Sequence, residues 1–437
     1  MLSSSFLAIV IAFALRLTSS LASDTPEQIH LAIATDSTKM NVQWATLDEG
    51  NTISSTTVMY GLSPDQLTFT IQGSNFTFTD SGKDKHTISH HICEMKDLKP
   101  STKYFYKVGC LLLHEFSDVF DFTSSPDPLN PNSSPLRFGI WGDMGYNNAQ
   151  ILKSVLKEVA DNNFDMILHV GDFGYDLHTD NGRNGDNFMN SVQPMAARVP
   201  YMVDIGNHEN IYLGSHYTER FRLMPVTSGK TMRTRNGVAP NNHFYSHDYG
   251  LVKFIALSSE IFFTKPWMIV EQRKWLESEL EKVDRSITPW VVVHAHRPAY
   301  CSCDKDCDAT SSTIRIGFEE TFHKYGVDLF IAGHEHNYER MYDVYKNETT
   351  KSTINPPATI HIVTGNAGGP ENHEIFQREQ PSRTAFRTDA YGYSRMQVYN
   401  TTHLHWEQVE CDTDAGVQDV VIDEVWIVQE NHGSFGR

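Results

Sequence analysis

Beyond its first residues the chain lacks any apolar run long and charge-free enough to cross a membrane. Basic residues are scarce: 36 Lys and Arg stand against 54 Asp and Glu, a formal net charge of −18. That deficit argues against a broad basic surface for nucleic acid or anionic lipid. No internal repeat and no long low-complexity stretch occurs. Hydrophobic content of 40% and charged content of 21% exclude a mainly disordered, collagen-like or coiled-coil chain. Cysteine is sparse, with six in 437 residues, and six thiols can close up to three disulfides. The length fits two or three domains, at roughly 100–200 residues each.

The one long apolar run lies at the start. Phe6 to Leu15 (FLAIVIAFAL) is followed by Arg16 and a small-residue stretch ending Ser20-Leu21-Ala22. Residues 1–22 therefore read as a signal peptide, with Ser23 the first mature residue. The run falls short of the roughly 20 residues a spanning helix needs. The expected product is secreted or lysosomal, with no membrane span after cleavage. Four N-x-[ST] triplets, at Asn75, Asn132, Asn347 and Asn400, are glycosylation candidates on that route. Cys93 and Cys110 form a plausible local pair; Cys301, Cys303, Cys307 and Cys411 make a second set whose pairing stays open. A zinc site at the Cys301 cluster is the rival reading. C-x-C-x3-C lacks a standard zinc spacing, so disulfides are favoured.

Residues 23–125 carry short alternating patterns at Ile29 to Ile33, Met40 to Trp44 and Tyr104 to Val108, separated by turn residues. They predict a small antiparallel β-sandwich. Residues 126–135, rich in Pro, Ser and Asn, read as a linker. From 136 to 437 the pattern changes. Apolar strands are expected at Leu136 to Trp141, Met166 to Val170, Tyr201 to Ile205, Trp290 to Val293 and Val327 to Ala332. Helical spacing appears at Ile151, Leu152, Val155, Leu156 and Val159, and again at Trp275, Leu276, Leu280 and Val283. This alternation predicts an α/β domain around a buried, mostly parallel sheet. Strand-like runs from Ala358 to Val428 would extend it or add a second sheet.

Each of those strands runs into a short polar loop: Gly142-Asp143-Met144-Gly145, Gly171-Asp172-Phe173-Gly174-Tyr175, Gly206-Asn207-His208-Glu209, His294-Ala295-His296-Arg297-Pro298 and Gly333-His334-Glu335-His336. In a parallel sheet the carboxyl ends of the strands share one edge, where ligands bind. Sequence-distant Asp, Asn, His and Tyr side chains should thus converge. Oxygen and imidazole donors in that number suit two first-row transition metals sharing a carboxylate. His294 and His296 point to the same side of an extended strand, so side-chain phase leaves both open.

The order of these loops resembles the calcineurin-like metallophosphoesterases, and within them the purple acid phosphatases, whose signature runs GDxG, GDxxY, GNH[DE], VxxH, GHxH. All five blocks are present. The stretches Pro26 to Leu31, Tyr391-Gly392-Tyr393 and His405-Trp406-Glu407 are also similar to the longer, plant-like members, including animal long forms. The resemblance implies a fibronectin III-like β-sandwich followed by a catalytic domain of packed β-sheets flanked by helices. It implies Fe(III) on Asp143, Tyr175 and His336, and a divalent ion on Asn207, His296 and His334, with Asp172 bridging. Zinc is the first choice for the divalent ion, with iron or manganese as alternatives. The family's proline two residues after the ligand selects His296 over His294. Tyr175, as a phenolate, would favour Fe(III) and give a purple colour. The implied reaction is hydrolysis of small phosphate monoesters by a metal-bound hydroxide, with the metals leaving the site positive despite the acidic chain. His208 is the candidate catalytic acid or transition-state stabiliser. A phosphodiesterase or nucleotide pyrophosphatase on the same scaffold is the alternative. The chain departs from the plant pattern after His296: Cys301 to Cys307 stand where paired histidines are expected.

Overall fold

Alternation in Lys103–Cys110 sets the geometry of the N-terminal region: Tyr104, Tyr106 and Val108 are buried, while Phe105 and Lys107 lie half out. In the computed structural model, residues 23–47, 55–127, 129, 135–303, 307, 310–371, 373–413 and 415–435 are described. The expected signal peptide at 1–22, Asn132 and most of the linker lie outside that set. Among the described residues no helix is long and apolar enough to cross a membrane.

The N-terminal strands form two facing antiparallel sheets. One orders Ser23–Ile33, Met40–Leu47, Thr87–Met95 and Ser74–Thr79; the other orders Phe69–Gln72, Thr56–Gly61, Lys103–Cys110 and Glu115–Phe116, with Phe120–Thr123 also on Lys103–Cys110. Trp44, Val58, Tyr60, Met95 and Tyr106 fill the space between them. The expected sandwich is present. Its first strand is longer than the apolar pattern indicates, because its backbone docks on the helix Arg183–Ala196. The Gln28 N–H donates to Asn190 Oδ1 (3.2 Å) and the Ile29 N–H to Gln193 Oε1 (2.9 Å). Nearby, buried Arg220 bonds Asp186 (2.9 Å) and Gln28 (3.0 Å), and His86 closes the group on Asp186 (2.7 Å).

The remainder holds two packed mixed sheets flanked by helices, as the resemblance implies; the strands after Ala358 do add to the parallel centre, and they are shared between both sheets. The first orders Tyr201–Val203, Met166–His169, Leu136–Trp141, Gly392–Val398, His403–Asp412 and Val417–Val428. Its first three strands are parallel and its last three antiparallel. The second orders Tyr245–Tyr249, Val252–Ala256, Trp290–His294, Leu329–Ala332, Ile360–Thr364, Tyr338–Asp343 and Thr384–Thr388, with a parallel centre. The helix Leu152–Ala160 buries Val155 and Val159, as the spacing predicts. The later helix runs Ile269–Glu281, so Val283 lies past its end.

The cysteine expectations are partly overturned. Cys301 and Cys307 are disulfide-bonded, whereas Cys93, Cys110, Cys303 and Cys411 are free. Cys93 and Cys110 belong to opposite sheets of the sandwich; Cys93 neighbours the Ile71 carbonyl and Cys110 the Ser55 hydroxyl. Cys411 packs on Ser154, away from the Cys301 loop. Non-reducing peptide mapping is expected to find the Cys301–Cys307 link and unlinked Cys93 and Cys110; a Cys93–Cys110 peptide would contradict this arrangement.

Candidate metal centre

The five polar loops do meet at the carboxyl edges of the parallel strands. Asp143 follows Leu136–Trp141, Asp172 and Tyr175 follow Met166–His169, and Asn207 follows Tyr201–Val203, all in the first sheet. His296, His334 and His336 come from the ends of Trp290–His294 and Leu329–Ala332 in the second. Three of these turns are made by non-glycine residues in the left-handed region: Asp143 (φ 60°), Asp172 (φ 50°) and His334 (φ 71°). Such backbone is uncommon and gathers at functional sites. Two glycines make room for the donors. Gly171 has φ 90°, and a Cβ there would lie 2.5 Å from His296 Nδ1; one at Gly206 would collide with the Asp172 carboxylate.

The donors fall into two groups. In one, the Tyr175 hydroxyl is 2.7 Å from His336 Nε2 and 3.4 Å from Asp143 Oδ1, and His336 Nε2 is 3.6 Å from Asp143 Oδ1. In the other, His296 Nε2 is 3.0 Å from Asn207 Oδ1 and 3.2 Å from Asp172 Oδ2. Asp172, His296 and His334 each offer a ligand atom within 4.8 Å of the others. His294 points elsewhere: its Nδ1 is 2.7 Å from buried Asp204, so of the two histidines it is His296 that joins the cluster.

Buried charge has the pattern a cation would satisfy. Asp143 and Asp172 are almost wholly buried. Burial alone would raise Asp172; His296 and His208 outweigh it and hold the carboxyl well below its usual range. Burial would likewise lower His296, but Asp172 and Asp143 raise it to about 10, with a proton standing where positive charge is required. Burial and Arg297 push His334 down and keep it neutral, as a ligand must be. Burial and Asp143 push the Tyr175 hydroxyl up, so a phenolate there needs a cation beside it. The donor set, two carboxylates, an amide, three imidazoles and a phenol, fits two transition-metal ions.

His208 stands at the mouth. Its Nδ1 bonds Asp176 Oδ1 at 2.8 Å, its Nε2 lies 3.3 Å from Glu371 and 3.9 Å from Asp172, and its ring packs on Tyr175. Burial opposes the charged ring, but Asp176, Asp172 and Glu209 win and raise it to about 9.

The supporting roles of several residues escaped the sequence reading. Buried Glu209 accepts the N–H groups of Asp172, Phe173 and Gly206, each at 3.0 Å, and so ties two donor loops together. Its place as the acidic residue closing the Gly206-Asn207-His208-Glu209 motif was the available signal. Asp176, Asp204 and Glu260 carry no comparable signal. Of the sequons, Asn75, Asn347 and Asn400 are exposed. Cys301 and Cys303 lie beside Glu335, whose Oε2 is 2.8 Å from Cys303 Sγ.

Known proteins share this architecture. The purple acid phosphatase N-terminal domain model matches residues 26–124, the calcineurin-like phosphoesterase model residues 136–338, and the iron/zinc purple acid phosphatase-like protein C model residues 358–424. Acid phosphatase type 7 of Danio rerio is 34% identical over 93% of this chain and 92% of its own length. The Homo sapiens protein of that name is 33% identical over 95% and 93%. The solved purple acid phosphatase PPD1 from yellow lupin seeds superposes with a TM-score of 0.75 at 24% identity, over 93% of this chain and 75% of its own, which shows the shared fold. By sequence and by fold, the chain belongs to the purple acid phosphatase family of calcineurin-like phosphoesterases.

Proposed function

We propose that this phosphatase hydrolyses small phosphate monoesters at a binuclear centre, with Fe(III) on Asp143, Tyr175 and His336, a divalent ion on Asn207, His296 and His334, and Asp172 between them. Zinc is the first choice for the divalent ion. The observation that carries the proposal is the meeting of Asp172 with His296 and His334 within 4.8 Å, beside the separate convergence of Asp143, Tyr175 and His336. Two such ions, when bound, supply Lewis-acid polarisation and an activated water.

The chain's own residues do the rest. Asp176 fixes Nδ1 of His208, leaving Nε2 toward Asp172 and the mouth of the site. From there Nε2–H can donate to a phosphoryl or leaving-group oxygen. Glu209 holds the Asp172 and Asn207 loops in register through its backbone hydrogen bonds. We place the mature protein on the secretory route, with residues 1–22 as leader, 23–125 as the β-sandwich, 126–135 as linker and 136–437 as the catalytic domain. Asn75, Asn132, Asn347 and Asn400 are the glycan acceptors.

The test is metal analysis and a visible spectrum of the purified protein, with rates on p-nitrophenyl phosphate and bis(p-nitrophenyl) phosphate. Two metal ions per chain, a broad purple absorption and faster monoester turnover are expected. A colourless protein with its iron present would remove Tyr175 from the ligand set, and faster diester turnover would move the substrate class to phosphodiesters.

A further inference from the structure

Arg297 follows His296 directly and reaches the other histidine of the same group: its Nη1 donates to His334 Nε2 at 2.7 Å. The rest of the side chain is held by two partners, Glu260 and Phe263. Nε and Nη2 lie 2.6 and 3.4 Å from the two oxygens of Glu260, and the guanidinium sits 4.7 Å from the Phe263 ring centroid. The Arg297 backbone N–H donates to Ser259 Oγ at 3.0 Å. Glu260 also accepts from Asn210 Nδ2 at 2.9 Å, linking the arm to the loop that carries Asn207. A long side chain held this way has already lost the rotamer freedom that binding would otherwise cost.

The contact to His334 is incompatible with a loaded centre, whichever ring nitrogen His334 uses. If Nε2 binds an ion, its lone pair is spent. If Nδ1 binds, the single proton of the neutral ring sits on Nε2, which is then a donor. Either way the Nη1–H loses its acceptor at the edge of the centre, while Glu260 still orients the guanidinium. We infer that Arg297 is a substrate-binding residue, whose Nη1 edge takes a phosphoryl oxygen of the monoester, or of the phosphate product, beside the divalent ion. This rests on the binuclear phosphatase reading above. Planar guanidinium donors match phosphate oxygens, and the permanent charge keeps the arm active at acid pH.

The test compares the metal-loaded full chain with Arg297→Met and Arg297→Lys. Metal content, the inhibition constant of inorganic phosphate, and kcat and KM for p-nitrophenyl phosphate are measured for each. Arg297→Met should keep both metal ions, weaken phosphate on the order of tenfold to a hundredfold and raise KM similarly, with a much smaller change in kcat. Lysine should restore part of the affinity through its point charge. Glu260→Gln, which loosens the fork without removing the arm, should shift the phosphate constant in the same direction by less, and serves if Arg297→Met folds poorly. Unchanged phosphate affinity in loaded Arg297→Met, or metal loss with normal affinity at the sites still loaded, would overturn the inference and leave Arg297 a strut for His334. A wild-type protein without two metal ions per chain would overturn the functional reading along with it.

Discussion

Asp172→Asn should lose metal and fall on the order of a thousandfold in turnover of a phosphate monoester, while its thermal melting profile stays folded. The size follows from Lewis-acid assistance worth several kcal/mol, at about 1.4 kcal/mol per tenfold in rate. Asparagine keeps the shape of the side chain. Its amide oxygen can still accept the His208 N–H, which Asp172 Oδ1 now accepts at 3.0 Å. What disappears is the charge of a carboxylate that faces His296 at 3.2 Å and His208 at 3.9 Å. Metal analysis, melting and turnover on one preparation separate a damaged centre from a damaged fold. Wild-type turnover by this variant would remove Asp172 from the centre.

Arg220→Met should be the most damaging substitution away from that centre, costing about 3–5 kcal/mol, the usual range when one partner of a buried ion pair is removed. Arg220 is fully buried between the β-sandwich and the catalytic region. It serves Asp186, Gln28 and the Gly182 carbonyl (2.9 Å). Burial would raise the Asp186 carboxyl, but Arg220 and His86 hold it down at about 2, below its usual 3.8. A depressed carboxyl stabilises the fold fully above its unfolded value and loses that contribution as pH falls through the folded one. The interface therefore keeps its charge pair at mildly acid pH. The variant should melt several degrees lower at pH 5, with the gap to wild type closing near pH 2. Equal melting at pH 5 would show that the pair contributes nothing.

How much of this was legible in the sequence depends on whether the signal was local. The donor loops were legible because each joins an apolar strand to a glycine and a polar residue, and a parallel sheet forces such loops to one edge. Strand phase left His294 and His296 open and only the family's proline chose between them; the physical reason, Asp204 taking the His294 ring, lies ninety positions away. The helix Arg183–Ala196 gave little warning, because its sequence RNGDNFMNSVQPMA is rich in Asn and carries Gly185 and Pro194. It forms through burial of Phe188, Met189 and Val192 and through its bonds to the first strand, neither of which is local. The pairing of the cysteines was equally hidden, because thiols seventeen positions apart on adjacent strands in sequence belong to opposite sheets.

The order of strands in the first sheet has a consequence for the gene product as a whole. Leu136–Trp141, which ends in Asp143, is flanked by Met166–His169 on one side and by Gly392–Val398 on the other. Every candidate donor lies before residue 337, yet the strand that seats the first of them is completed only by the last fifty or so residues of the chain. A transcript spliced or terminated before Gly392 would encode all the donors and leave that strand an open edge, its backbone groups unpaired and its apolar face bare to other nascent chains. For such a truncated product the expected fate is aggregation and clearance rather than a smaller enzyme.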